Sequence, residues 1–191
     1  MVALLAIKQL ASQMGTGPEY ESAAQIQTTI TFVVFTLPLA VVSIFAGVFS
    51  DRLSKRLVIV AMKALEVVLM GLGTITLFLN PEGGFLPLMV LGAMAVQSAL
   101  FSPAKYGILP ELLPHERLSV GNGQLELWTF LAIIGGMAMG GIFLQASGVS
   151  PWLAGVVLLL FSIVGFVFSF CLLYTSPSPR DATLSRIAWW A

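Results

Sequence analysis

Charged side chains and the residues that usually hold metal ions are scarce in this sequence. Among 191 residues there are nine Lys or Arg, nine Asp or Glu, one His and one Cys, while 58% are hydrophobic. Soluble domains carry about 25% charged residues, so a share of 9% excludes an ordinary soluble domain. The single Cys171 excludes an intrachain disulfide framework and a cysteine zinc site, and with His115 as the lone histidine we expect no metal and no cofactor. The net charge of zero says nothing about nucleic acid, but the basic residues form no patch and lie between apolar runs, so no nucleic-acid partner is expected.

Most of the sequence consists of long apolar runs, and these runs predict helices that cross a bilayer. About 20 helical residues span the hydrocarbon layer. The predicted fold class is all-α integral membrane, a six-helix bundle whose first helix is truncated. The predicted helices cover residues 1–7 (partial), 26–49, 57–79, 85–105, 124–144 and 152–170, and together they form one domain, 1–170. Residues 8–24 are polar and contain Gly and Pro, which predicts a loop.

Basic residues are distributed unevenly over the predicted connections. The connections on the outer side hold only Lys8. Those on the inner side hold Arg52, Lys55, Arg56, Lys105 and Arg117. Because short cytoplasmic loops are enriched in Lys and Arg, we expect this second side to face the cytoplasm of a multi-pass protein.

The basic turn at residues 47–56, between the second and third predicted helices, carries a first family resemblance. It resembles the signature loop of the major facilitator superfamily, G-x-L-a-D-r-x-G-r-k. The matching residues are Gly47, Asp51, Arg52, Lys55 and Arg56. The resemblance implies a cytoplasmic gating loop, and simple anchoring at the anionic leaflet is the alternative. Ser54 replaces the second Gly of the motif, so we expect some backbone strain in the turn.

A narrower resemblance lies in residues 101–114, FSPAKYGILPELLP, followed by Asn122, Gly123 and Glu126. This segment is similar to the lysophospholipid transporter branch of the same superfamily. Three prolines and Gly107 predict a helix that is broken repeatedly near membrane depth. The resemblance implies a carrier that moves lysophospholipids across the bacterial inner membrane by alternating access. Some members of the branch are fused to acyltransferase and acyl-carrier-protein ligase domains.

Four ionisable residues are candidates for the substrate site. Lys105 stands at the predicted helix break, where a compact ammonium can attract a phosphate or carboxylate, although it is equally suited to anchor the loop. Lys63 and Glu66 are three residues apart on one helix face and can pair, either as a switchable contact or as a self-neutralising structural pair. Glu126 lies near the membrane surface, where a structural role is at least as favoured as contact with substrate.

Small residues on the fifth predicted helix indicate close packing. Gly136 and Gly140 form a G-x-x-x-G step that admits another helix. The antiporter signature of the superfamily requires a Pro on this helix, and residues 125–144 contain none. The sequence therefore argues against proton antiport.

The last residues differ from the rest of the chain. Residues 171–191 resemble the conceptual translation of a transposon-based sequencing adapter, and a genuine polar tail is the alternative. With the clipped first helix, this predicts a fragment that is roughly one half of a carrier made of two six-helix halves. The partners expected are the bilayer, the lysophospholipid and the missing C-terminal half.

Other function classes fit the sequence less well. A membrane acyltransferase requires a His-x-x-x-x-Asp pair, but the fifth residue after His115 is Val120. An ATP-driven pump requires a Walker A run, which the sequence lacks. We therefore expect a protein that is not an enzyme. A superfamily carrier for a drug, sugar or metabolite and a membrane scaffold without transport remain as alternatives.

Overall fold

The computed structural model describes residues 2–14, 17–81, 84–145 and 150–174, and all regular structure in these ranges is helical. The helices are α1 (Val2–Met14), α2 (Pro18–Arg52), α3 (Lys55–Leu79), α4 (Phe85–Gly107), α5 (Leu109–Leu112), α6 (Leu118–Gln145) and α7 (Pro151–Tyr174), with a 3-10 turn at His115–Arg117. Five helical segments are long and apolar enough to cross a membrane: Pro18–Gly47, Lys55–Leu79, Phe85–Leu112, His115–Phe143 and Pro151–Cys171. The described part of the chain is all-helical, and the chain is a multi-pass integral membrane protein.

Helix α3 lies at the centre of the bundle, packed against α4 and α7, while α2 packs against α4 and α1 against α2. We call the end that carries the α2–α3 turn and the α4–α6 connection the basic end. Close to it, Val58 and Ile59 of α3 pack on Ala104 and Ile108 in a buried apolar cluster. Helix α6 is different, because no residue of its apolar stretch is buried against the other described helices.

The polar segment at residues 8–24 is mostly helical, so the predicted loop there is wrong. Helix α1 continues to Met14 and α2 begins at Pro18. Proline is favoured in the first helical turn because its missing N–H has no helical partner there. The acidic Glu19 and Glu21 lie in the same turn, where they complement the positive end of the helix dipole. Start signals of this kind outweigh the polarity of the segment.

Helix α4 continues through Pro103, so the predicted repeated break is wrong at this proline. The helix ends at Gly107, and a single turn, α5, follows with Pro110 near its start. Pro114 then adopts an extended conformation, with φ −65° and ψ 153°. A proline inside a membrane helix removes one backbone hydrogen bond, and neighbouring helices can compensate for this loss.

The turn at the basic end forms without the strain expected of Ser54. Leu53 has φ −114° and ψ 155°, and Ser54 has φ −64° and ψ 121°. Both are extended conformations that any residue adopts. A glycine is therefore not required at this position.

Two other helices differ from the predicted boundaries. Helix α6 begins at Leu118, six residues before the predicted start at 124. Helix α7 continues to Tyr174, past the predicted end at 170, so the first residues of the adapter-like tail are helical. Residues 175–191 lie outside the described part of the chain.

Candidate functional site

A polar cluster joins the basic ends of α4 and α6. The Lys105 ammonium donates a hydrogen bond to the Thr129 hydroxyl at 2.7 Å, and that hydroxyl donates to the Leu125 carbonyl of its own helix at 2.6 Å. Because the Thr129 oxygen accepts from Lys105, its proton is directed to its own backbone. The lysine is half-buried, and it keeps two further N–H donors that these bonds do not use.

The neighbouring residue on α4 connects this lysine to a carboxylate. The Tyr106 hydroxyl donates a hydrogen bond to Glu126 of α6, and the Lys105 ammonium lies 5.4 Å from the centroid of the Tyr106 ring. We call Lys105, Tyr106, Glu126 and Thr129 the Lys105 cluster. It holds a cation over one aromatic ring and a carboxylate at the hydroxyl of the same ring.

A second polar site lies between α3, α4 and α7. The Lys63 ammonium pairs with the Glu66 carboxylate at 2.8 Å, as their spacing predicts. It also lies 5.3 Å from the centroid of the Phe101 ring on α4. A Cβ added to Gly165 of α7 would lie 3.6 Å from the same nitrogen, an ordinary van der Waals contact, so the lysine packs beside α7 at this glycine.

A buried amide extends this second site. Gln97 of α4 is 3% exposed, and its side-chain nitrogen donates to the Met62 carbonyl of α3 at 3.2 Å. Its side-chain oxygen accepts from the Ser98 hydroxyl at 3.4 Å. Both ends of the amide are thus satisfied, which is the usual condition for burying a polar group.

The basic end is held together by an ion pair that links two connections. Lys55, at the start of α3, pairs with Glu111 of α5 at 3.0 Å. A Cβ added to Gly107 would lie 3.1 Å from the Lys55 side chain, so the lysine crosses close to the end of α4. Arg56 is half-buried beside it. The side chains of Asp51 and Arg52 lie outside the described part of the structure.

The structure brings together most of the predicted substrate residues, but in two groups. Lys105 and Glu126 meet through Tyr106, whereas Lys63 and Glu66 pair on α3. Phe101 connects the groups because it contacts Lys63 and stands one turn before Lys105 on the same face of α4. One turn rises about 5.4 Å, so the two sites are neighbours along α4.

Sequence reasoning missed the partners that come from other helices. Glu111 lies inside the segment FSPAKYGILPELLP, but its pairing with Lys55, 56 residues away, has no local signal. Thr129 follows Glu126 by three residues, the spacing that places both on one face of α6. A polar partner for Gln97 could be predicted from the sequence, because an amide within a long apolar run requires one.

The close helix contact occurs at a glycine other than those predicted. A Cβ added to Gly155 of α7 would lie 2.9 Å from the Thr74 hydroxyl and 3.0 Å from the Thr74 Cα, so α3 and α7 meet there. A Cβ at Gly136 or Gly140 would meet no atom within 4 Å among the described residues of other elements. These two glycines instead border a groove of about 590 Å³ between α6 and α7. Their packing role stays a prediction.

Comparison with known proteins identifies the family. The Major Facilitator Superfamily sequence profile matches residues 2–189. The lysophospholipid transporter LplT of Photorhabdus laumondii is 32% identical over 158 residues, which cover 83% of this chain and 35% of the relative. The LplT of Klebsiella pneumoniae is 40% identical over 98 residues, covering 51% of the chain and 23% of the relative. The LplT of Yersinia enterocolitica is 31% identical over 126 residues, covering 66% and 28%.

No solved structure matches the chain. The matched segment spans about a third of the length of the Photorhabdus relative, and less of the other two. The profile match nevertheless extends over nearly all of the sequence. The chain therefore belongs to the Major Facilitator Superfamily, and its sequence relatives place it in the branch of the lysophospholipid transporters.

Proposed function

We propose that this chain is part of a carrier that moves lysophospholipids across the bacterial inner membrane by alternating access. The Lys105 cluster is the single observation that carries the proposal. Three of its four residues, Lys105, Tyr106 and Glu126, belong to the narrower family resemblance, and the cluster holds a cation, an aromatic ring and a carboxylate at one end of the bundle. The relatives, all from bacteria, bear the name lysophospholipid transporter.

The chemistry of a lysophospholipid suits this cluster. Its phosphate requires a cation with donors to spare, which the Lys105 ammonium provides. Thr129 holds the ammonium toward α6 and thereby limits the positions that the head group can take. Glu126 can accept a hydrogen bond from the donor groups that many phospholipid head groups carry, in exchange for its bond from Tyr106.

The architecture that we propose is one six-helix half of a two-half carrier, with α1 as the end of the first helix. Carriers of this type rock two helix bundles around the bound substrate. The proposed inner gate comprises the basic turn and the Lys55–Glu111 pair, because that pair links the α2–α3 turn to the α4–α6 connection. A lysophospholipid acyltransferase fused to the carrier would add an enzymatic step that this chain does not perform.

Replacing the lysine of the cluster tests the proposal. In a complete carrier that contains this chain, we expect Lys105→Ala to reduce uptake of radiolabelled lysophospholipid into spheroplasts at least several-fold. The matched control is Lys8→Ala, which removes an exposed lysine from α1 and should leave uptake unchanged. Both variants are compared at equal membrane abundance.

The possible outcomes separate the substrate classes. Unchanged uptake in Lys105→Ala would overturn the role of Lys105. A wild-type carrier that moves a drug, sugar or metabolite but no lysophospholipid would overturn the proposed substrate and support another carrier of the superfamily. A wild-type protein without transport of any of these compounds would favour a membrane scaffold.

A further inference from the structure

A separate apolar cavity lies in the half of the bundle away from the basic end. It has a volume of about 320 Å³, opens on one side and is lined by parts of α1, α2, α3, α4 and α7. Leu69 and Leu77 of α3, Val90 and Met94 of α4 and Leu158 of α7 form much of its wall. A Cβ added to Gly73 of α3 would lie 3.5 Å from Val90, so α3 and α4 approach each other at this wall.

The threonines at the cavity do not make it polar. The Thr31 hydroxyl donates to the Gln27 carbonyl at 2.9 Å, Thr74 to Met70 at 2.8 Å, and Thr76 to Gly73 at 2.9 Å. Each hydroxyl proton is thus directed to the backbone of its own helix. Water requires two to four polar partners to occupy a cavity, and apolar cavities stay dry. The cavity is therefore suited to hydrocarbon.

The volume indicates how much hydrocarbon the cavity can hold. A dry cavity of about 150 Å³ binds benzene, a molecule of six carbons. A cavity of about 320 Å³ is roughly twice as large, so it accommodates on the order of a dozen carbons. This is most of one long acyl chain and too little for two.

The cavity shares a face of α4 with the Lys105 cluster. Pro87, Leu91 and Met94 line the cavity, and they precede Lys105 by 18, 14 and 11 residues. At about 100° per residue these spacings return to within roughly 40° of the same direction, so all four residues lie on one face. Met94 and Lys105 are about 16 Å apart along the helix axis, at a rise of 1.5 Å per residue.

We propose that this cavity, the tail cavity, binds the single acyl chain of a lysophospholipid whose head group is held by the Lys105 cluster. The inference rests on the proposed function and adds the site that recognises the acyl chain of the lipid. A tail placed in the cavity remains among hydrocarbon side chains while the head group is exchanged between compartments. Because the volume admits one chain, the cavity also discriminates lysophospholipids from diacyl lipids.

Photolabelling locates the acyl chain directly. The probe is a palmitoyl lysophosphatidylethanolamine that carries a diazirine near the end of its chain, added to the complete carrier in nanodiscs. We expect labelled peptides from residues 69–77 of α3 and 90–94 of α4. Unlabelled lysophosphatidylethanolamine should compete with the probe, whereas a diacyl phosphatidylethanolamine should not.

A cavity-filling substitution and its matched control sharpen the test. Val90→Trp fills the cavity and should reduce labelling of α3 to background. Met89→Trp makes the same change one residue earlier, at a side chain that is 58% exposed on the outside of the bundle, and should leave labelling intact. Val90→Leu, a smaller change, should reduce labelling in part if Val90→Trp does not fold.

Each result has a defined meaning. Labelling that is confined to membrane-facing positions, that persists in Val90→Trp, or that a diacyl lipid competes for equally would overturn the tail cavity. If the label maps to the cavity but the wild-type carrier shows no lysophospholipid uptake, the proposed function fails while the binding site stands. If uptake occurs without label in the cavity, the function stands and the tail cavity fails.

Discussion

At the scale of single residues, the most unusual feature is a charged pair inside the membrane-spanning segment of α3. The side chains of Lys63 and Glu66 are 24% and 19% exposed, and each is the nearest partner of the other. Charges at membrane depth are costly unless they are paired. The Phe101 ring and the space beside Gly165 then provide a fitted site for the ammonium group.

Removing one residue of the Lys63–Glu66 pair should destabilise the protein more than removing both. We expect Glu66→Leu to destabilise the protein by roughly 1–3 kcal/mol, because the Lys63 ammonium loses its partner but can still reach partly toward the interface. The double variant Lys63→Met with Glu66→Leu should recover most of this loss. Thermal unfolding in detergent measures both, and a single variant as stable as the wild type would contradict the structural account of the pair.

A second residue-scale prediction concerns Gly155. We expect Gly155→Ala to lower the free energy of unfolding by about 1–3 kcal/mol. The new methyl group would clash with the backbone of Thr74, which cannot rotate away. The control is Gly136→Ala, which meets no atom within 4 Å among described residues of other elements and should leave stability unchanged or raise it by up to about 1 kcal/mol, because alanine is favoured over glycine inside a helix. The same thermal measurement serves both variants. Equal losses would show that a helix packs on Gly136 as closely as α3 packs on Gly155.

Local spacing explains which contacts could be predicted at this scale. The pairing of Lys63 with Glu66 follows from a separation of three residues on one helix, so the sequence alone was sufficient. The bonds from Lys105 to Thr129 and from Tyr106 to Glu126 join residues that are 24 and 20 positions apart. They depend on how α4 and α6 pack, and no local pattern encodes that. The candidate residues were therefore predictable, whereas most of their partners were not.

At the scale of elements, hydropathy predicted the apolar core of each membrane helix but not its ends. The predicted helices at 57–79 and 85–105 differ from α3 and α4 by two residues at one end each. The larger errors lie where polar or breaking residues are helical, namely at the start of α2, at Pro103 and at the start of α6. At such positions the capping signals and the packing of neighbouring helices determine the structure, and mean hydropathy does not report them.

The element-scale prediction concerns the ion pair that connects α3 to α5. Lys55 and Glu111 are 29% and 42% exposed, so the pair should contribute at most about 1 kcal/mol to stability. If it acts as part of a gate, Lys55→Gln or Glu111→Gln should reduce lysophospholipid uptake several-fold with little change in Tm. The charge swap, Lys55→Glu with Glu111→Lys, should restore much of the uptake.

A control at the opposite end separates a gate from a general effect of charge. Glu19→Gln removes an exposed carboxylate from the first turn of α2 and should leave uptake unchanged. Single variants at Lys55 and Glu111 that transport normally would show that the pair only anchors the loop. A swap variant that remains inactive while the single variants are impaired would point to another partner for one of the two residues.

At the scale of the whole molecule, the arrangement of polar groups follows from one orientation in the bilayer. The α2–α3 turn, the Lys105 cluster and the Lys55–Glu111 pair lie at the basic end, whereas the tail cavity lies toward the other end. Short loops rich in Lys and Arg remain in the cytoplasm. A lysophospholipid bound as proposed would then have its head group on the cytoplasmic side of its tail, the orientation required after inward transport.

This orientation can be measured with single cysteines. After Cys171→Ser removes the native thiol, Ser54→Cys places an exposed thiol at the basic end, and Asn80→Cys places one at the exposed end of α3. Helix α3 has 25 residues and a length of about 37 Å, enough to separate the two positions by a bilayer. In intact spheroplasts, a membrane-impermeant maleimide should label Asn80→Cys only, and Ser54→Cys should react once the membrane is opened. Labelling of both thiols from the outside would contradict a membrane-spanning α3, and the reverse pattern would place the basic end and the Lys105 cluster outside the cell.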